Sequence, residues 1–298
     1  MKVVYAITCH KMTNPLLHTV HHLSSFEDNI VLIHIDKKAD IREFMVLESL
    51  NVYLIPNRFE ITWGSASQIK SVLELMRFSL KFHYDFFFLL SGDDIPLKNN
   101  SELTKFLSTY SNYNFISFDK TATNEHMEDR VKYNHVNACF QREATLVSKI
   151  NRKSFHLTKR FFYQNKNFRE NLYRLPKLHK GSNWFGLKAN TILYILEYTT
   201  ENEWFVKIFD KSFCTDEIFF HTIIKTNTKL SIFEHPSYPN ACLRYIDWQS
   251  GPEYPKMLRE EDKAKMEASP YFFARKIDTN ASLEFINFFL REKEVTIN

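Results

Sequence analysis

Four of the five glycines stand in short polar clusters that also carry Trp, Ser or Asp. These are Trp63-Gly64-Ser65, Ser91-Gly92-Asp93-Asp94, Gly181-Ser182-Asn183-Trp184 and Asp247-Trp248-Gln249-Ser250-Gly251. Aromatic faces stack on bases and sugar rings, and carboxylates accept hydrogen bonds from hydroxyls. The combination suits a sugar-nucleotide cleft, although each cluster alone is also what an ordinary turn uses. Asp93 and Asp94 are adjacent, and adjacent side chains on an extended chain point to opposite faces, so joint chelation of a metal is not favoured. A second acidic pair, Asp216-Glu217, precedes an aromatic-rich segment, where carboxylates favour the start of a helix.

Other chemistries lack their residues. G-x-G-x-x-G, G-x-x-x-x-G-K-[ST], G-x-S-x-G and H-E-x-x-H are all absent from the sequence. This disfavours a dinucleotide enzyme, a P-loop enzyme, a hydrolase with a nucleophile elbow and a zinc protease.

The clusters need elements to hold them. Lys2–Thr8, Ile30–Asp36, Val52–Ile55, Asp85–Leu90 and Asn114–Phe118 read as strands, the fourth an unbroken apolar run suited to the centre of a sheet. Asn14–Ser24 and Ile41–Leu50 suit helices, and Ser65–Phe82 puts Ile69, Val72, Leu73, Met76 and Leu80 on one helical face. The alternation predicts an α/β fold with a parallel or mixed sheet covered by helices, binding ligands beyond the carboxyl ends of its strands. Thr8 to His10, Asp36 and Ser91 to Asp94 fall there. Further on, Thr191–Tyr198, Asp216–Ile224 and Leu283–Leu290 read as helices, the last packing Leu283, Ile286 and Phe289 or Leu290.

The 298 residues carry a net charge of +4, too weak to imply nucleic acid. Four cysteines without metal or disulfide spacing read as free thiols of a reducing compartment. The N-terminus reads as a first strand rather than a secretory signal, and no apolar run reaches the roughly 18 residues of a membrane span. Between Arg152 and Lys180 stand nine Lys/Arg against one acid, Glu170, with Phe161, Phe162, Tyr163 and Phe168 interleaved. The plainer reading is a solvated face on an inserted helical segment, and the sharper one a surface for anionic lipid or a charged acceptor.

The order of motifs resembles the Core-2/I-branching enzymes and the peptide-O-xylosyltransferases. The matching segments run Tyr5 to His10, Ile33 to Lys37, Trp63 to Ser65, Leu90 to Leu97, Lys180 to Phe185, Thr215 to Thr222, Arg244 to Trp248 and Ser269 to Lys276. They span the chain almost from end to end, with 121–179 matching weakly. The resemblance implies a GT-A-type fold, with a central mixed sheet flanked by helices. It also implies inverting, metal-independent transfer from a UDP-sugar to a hydroxyl of a glycan or lipid-linked acceptor, with no cofactor. One composite domain, 1–298, would then comprise a nucleotide-binding half (1–120), a basic helical insertion (121–180) and an acceptor or catalytic half (181–298).

Residue roles follow from the same resemblance. Glu217 matches the family's general base. Arg275 and Lys276, with Arg244 as a further candidate, fall where basic side chains meet the diphosphate, and such cations can neutralise charge as a metal does. Asp36 belongs to the nucleoside region, with His10, Trp63 and Gly64 around the same pocket. Asp93 and Asp94 take the place of a metal-binding D-x-D, with Asp94 expected at the donor sugar. Trp184, Asp216 and Trp248 are expected on the acceptor side. Asn183 stands where some relatives carry an acid, and an amide cannot act as a base. The chain looks like a bacterial cytoplasmic member working at the inner membrane face, with peripheral contact through 152–180. Two alternatives stay open: a metal-dependent transferase using Asp93 and Asp94, and a non-catalytic glycan-binding protein of the same fold.

Overall fold

The computed structural model describes residues 1–290 apart from 142, 144 and 253. Its strands are β1 (Val3–Cys9), β2 (Asn29–Ile35), β3 (Val52–Leu54), β4 (Phe86–Ser91), β5 (Ile95–Pro96), β6 (Phe115–Phe118), β7 (Gly181–Lys188), β8 (Arg244–Ile246) and β9 (Phe273–Arg275). The helices are α1 (Asn14–Ser24), α2 (Ala66–Ser79), α3 (Asn100–Thr109), α4 (Asn124–Val131), α5 (Leu146–Phe162), α6 (Lys166–Asn171), α7 (Ala189–Glu201), α8 (Glu203–Phe209), α9 (Asp216–Thr226), α10 (Lys263–Glu267) and α11 (Leu283–Leu290). Six strands form a sheet in the order β3-β2-β1-β4-β7-β6, and β5-β9-β8 form a smaller one. The first four strands of the large sheet are parallel, whereas β7 runs antiparallel to both β4 and β6. The expected central mixed sheet flanked by helices is therefore present. The later part of the chain completes the sheet begun by the first 120 residues.

Period-two alternation explains why the strand segments read as unbroken apolar runs. Val4, Ala6, Phe87 and Leu89 enter the core on one face of the sheet. Val3, Tyr5, Ile7, Phe86, Phe88 and Leu90 enter the core on the other. Both faces are dry, so every position must be apolar, each large side chain contributing about 1.5–3 kcal/mol by burial. β7 pairs with this strand through Gly186, opposite Phe88. A Cβ at Gly186 would run into the Phe88 ring, so only glycine lets the two strands close.

Three expected elements differ. Ile41–Leu47 is a 3-10 helix rather than an α-helix. Its buried residues, Phe44 and Leu47, are three apart, a spacing that a three-residue turn aligns. Leu80 caps α2 and is 47% exposed, because the helix ends before it can face the core. Leu283 likewise stays half exposed at the start of α11, which packs through Phe285, Ile286, Phe289 and Leu290.

Candidate active site

The small sheet brings four charged residues together at one end. β5 and β9 are antiparallel, with Ile95 opposite Ala274. Beyond that pair the regular ladder ends, and Ile277 N donates to Asp93 O at 2.9 Å. The side chains make two pairs: Arg275 Nε donates to Asp94 Oδ1 at 3.1 Å, and Lys276 Nζ lies 3.5 Å from Asp93 Oδ2. Parallel β8 adds Arg244, whose Nε donates to Asp94 Oδ2 at 3.3 Å. Arg244 also donates to Cys242 O at 3.0 Å and to Leu89 O. Leu243, just before it, sits at φ 59°, a left-handed conformation uncommon for a branched side chain.

The expectation that Asp94 meets a donor sugar is corrected by this arrangement. Asp94 and Arg244 are completely buried, and both Asp94 oxygens accept from guanidinium groups. A buried carboxylate between two guanidinium groups is a fixed anchor. Asp93 does point the other way, to the opening, as adjacent side chains on extended chain should.

A second group of charges gathers around Glu217, in the first turn of α9, where backbone N–H groups favour an anion. Arg130 Nη1, from α4, donates to Glu217 Oε2 at 2.9 Å and to Cys214 O at 3.0 Å. Lys180 Nζ, just before β7, lies 3.5 Å from the same carboxylate and 3.3 Å from Asp119 Oδ2. Hydrogen bonds from Thr121, with the nearby Lys180 cation, hold the Asp119 carboxyl down at about 2. Beside them β6 slips its register against β7 between Ile116 and Phe118, an irregularity that turns Ser117 toward the opening. His221 of α9 donates from Nε2 to Ser117 O at 3.1 Å and so ties helix to bulge.

Both groups line one cleft of about 1020 Å³, beyond the carboxyl end of β4, as expected for this kind of sheet. Of the residues singled out from the sequence, Trp63, Asp93, Trp184, Glu217, Arg244, Trp248, Arg275 and Lys276 line it. Among the described residues its walls carry five cations, Arg130, Lys180, Arg244, Arg275 and Lys276, against three acids, Asp93, Asp119 and Glu217. Trp184 has the Arg275 guanidinium 4.1 Å from its ring centre and that of Arg244 at 5.5 Å. A sugar would therefore meet an indole already engaged by a cation. Trp63 and Trp248 are 42% and 59% exposed at the rim.

The other expected residues lie off the wall. His10 is exposed at the end of β1. Asp36 is buried at the end of β2, where Oδ1 accepts from Lys38 N at 3.0 Å and from Ile61 N at 3.3 Å, so it organises a turn. Gly64 has φ 73°, the left-handed region that glycine tolerates, and its carbonyl accepts from Cys214 N at 2.7 Å. It shapes the backbone behind Trp63. Asp216 lies in a separate recess of about 80 Å³ with Asn183, whose amide donates to it. Burial foremost, then the Glu217 charge, push its carboxyl up to about 7. Asp216 thus stands behind the wall that Glu217 occupies.

Arg130 escapes sequence reasoning, and Lys180 stands out only in a basic run and as the start of a family motif, with no role assigned. Arg130 lies in α4, whose only buried residues are Met127 and Val131, so no periodic signal marks it. All four cysteines are free thiols. Among the described residues no helix is long and apolar enough to cross a membrane.

Comparison with known proteins places this geometry in a lineage. Human xylosyltransferase 1 is 24% identical over 308 residues, covering 96% of this chain and 30% of that protein. Human xylosyltransferase 2 is 24% identical over 322 residues, covering 97% of this chain and 34% of its own length. The xylosyltransferase oxt of Drosophila melanogaster is 25% identical over 280 residues, covering 84% and 29%. The chain thus spans about a third of the length of these relatives. Among solved structures, a 4-diphosphocytidyl-2C-methyl-D-erythritol synthase from Anaerococcus prevotii aligns over 68% of this chain and 78% of its own, at 12% identity and a TM-score of 0.35, a loose likeness. The Core-2/I-branching enzyme model matches residues 3–274, which includes Glu217, Asp93, Asp94 and Arg244 and stops one residue short of Arg275, and the chain belongs to that family.

Proposed function

We propose that the chain is an inverting glycosyltransferase that moves a sugar from a UDP-sugar to a hydroxyl of a glycan or lipid-linked acceptor without a metal ion. The observation that carries the reading is the pair of charged groups in one cleft. Glu217 stands on one side, and Arg275 and Lys276, braced by Asp94 and Asp93, stand on the other. Family membership supports the reaction class.

Glu217 takes the proton of the acceptor hydroxyl while that oxygen attacks the anomeric carbon. The bond from this carbon to the UDP oxygen breaks on the opposite face, so the centre inverts. The electron pair leaves with UDP, whose growing negative charge falls on Arg275 and Lys276. Preorganisation is the useful property here, because Asp94 fixes Arg275 before substrate arrives. The same ion pairs weigh against a metal-dependent reaction: Asp94 is enclosed by two guanidinium groups, and Asp93 already faces Lys276. Trp63 and Trp248 at the rim are the surfaces for base or sugar stacking. The relatives' names make UDP-xylose the first donor to try, with UDP-GlcNAc next.

The test compares wild type with Glu217→Gln, measuring UDP release from each donor and UDP binding by calorimetry. The reading expects turnover to fall at least roughly 100-fold with UDP affinity unchanged. Full turnover in Glu217→Gln would remove the base from the mechanism.

A further inference from the structure

Helix α5 turns its apolar side chains outward. Its inward face is set by Ser148, Arg152, Phe155 and Lys159 at spacings of four, three and four. Phe155 is buried beside Tyr133 and Cys139. Arg152 Nε donates to Ala138 O at 2.7 Å, and Lys159 Nζ donates to Asp129 Oδ2 at 2.6 Å. The opposite face carries Leu146, Ile150, Leu157 and Phe161, which are 79%, 67%, 71% and 79% exposed. At 3.6 residues per turn these four fall within an arc of roughly 60°. Lys149, Lys153 and Arg160, all exposed, fall side by side along one border of that stripe. Single exposed leucines are common on proteins, but a continuous apolar stripe bordered by cations marks a contact surface.

We infer that this face of α5 docks on an anionic lipid bilayer, lying in the interface with its apolar stripe among the acyl chains. The chemistry selects that occupant. A narrow apolar stripe with Lys and Arg along its border is the pattern of interfacial helices, and the cations meet the acidic headgroups. A second copy docked on the same stripe in an antiparallel two-fold pair would set the two basic borders side by side, like charge against like. The docking surface begins at Leu146, earlier than the basic run at 152–180 suggests, because the apolar half of the pattern lies in the first turn. Docking would also bear on the cleft. Lys159 is pinned to Asp129 of α4, and the next residue of α4, Arg130, holds Glu217. The helix that carries the bilayer contact is thus one step from the proposed base, which suits a lipid-linked acceptor if the transferase reading holds.

The test is flotation of the full chain with vesicles, without donor or acceptor, so that its failure leaves the transfer chemistry untouched. Wild type is expected to float with an equimolar mixture of phosphatidylcholine and phosphatidylglycerol, to release as salt rises, and to stay in solution with phosphatidylcholine alone. Joint Lys149→Glu, Lys153→Glu and Arg160→Glu substitution should lower partitioning roughly 100-fold. Joint Leu157→Ser and Phe161→Ser substitution should lower it at least roughly tenfold. All five positions are on the outward face, so UDP binding and Tm should match wild type. No flotation by wild type would overturn the inference, as would equal flotation by all variants. A dimer in sedimentation that Leu157→Ser and Phe161→Ser dissociate, without lipid binding, would assign the stripe to a second copy instead.

Discussion

Asp94 Oδ1 accepts a hydrogen bond from Arg275 Nε at 3.1 Å across 181 positions of sequence, inside a wall that no solvent reaches on the carboxylate side. The next residue, Lys276, lines the cleft. On the proposed reading, stability and phosphate recognition therefore share one carboxylate. Asp94→Asn should destabilise the chain by about 3 kcal/mol in denaturant melts, because Arg244 and Arg275 would be left short of a counter-charge in a buried site. UDP affinity should fall with it. A second substitution, Arg275→Met, added to Asp94→Asn should cost less than the two changes summed, since the residues act as one unit.

Arg130 holds Glu217 at 2.9 Å while also binding Cys214 O, which fixes the chain entering α9. Arg130→Met should reduce kcat roughly 10- to 100-fold by letting the carboxylate drift from its position. UDP affinity should not change, because Arg130 stands with the proposed base and not with Arg275 and Lys276. Steady-state kinetics with calorimetry separates the two effects.

Asp216 supplies a pH dependence. Its carboxyl is pushed from 3.8 up to about 7, by burial first and then by the charge of Glu217. Between about pH 4 and about pH 7 the folded chain keeps a proton that the unfolded chain releases, so this contribution to stability is complete at low pH and is lost as pH rises through that window. Asp216→Asn removes the titration. The stability of wild type relative to Asp216→Asn should therefore fall on the order of 4 kcal/mol from about pH 4 to about pH 8. Parallel profiles for the two proteins would show that the carboxyl titrates normally.

Gly186 closes the central sheet against Phe88. Gly186→Ala should cost about 2–3 kcal/mol, because the ring or the strand must shift. Phe88→Leu, placed beside it, should recover part of the loss in the same melts.

The large sheet was legible because its strands obey one local rule. β1, β2 and β4 are buried on both faces, so each appears as a compact apolar run whatever its neighbours are. The small sheet obeys no local rule. β8 and β9 have three residues each and β5 two, and their pairing joins segments far apart in the chain. A trace of it is nonetheless present: Asp93-Asp94-Ile95-Pro96 and Phe273-Ala274-Arg275-Lys276 are complementary in charge when read in opposite directions. The cleft residues named from the sequence were those beside glycine and tryptophan or within family motifs. Arg130, 87 positions from Glu217, belongs to neither group, and only the packing of α4 brings it in. Asp94 is expected at the donor sugar by its match to the family motif, and a motif does not reveal burial. Its partners, Arg244 and Arg275, arrive from the other end of the chain and enclose it.

The central claim is a diphosphate site built from side-chain cations, and calorimetric titration of UDP in the presence of EDTA addresses it directly. Wild type should bind UDP without metal, and Lys276→Ala should bind roughly 10- to 100-fold more weakly. Binding that vanishes in EDTA and returns with Mn²⁺ would contradict the account, and would mean that Asp93 leaves Lys276 to hold a metal.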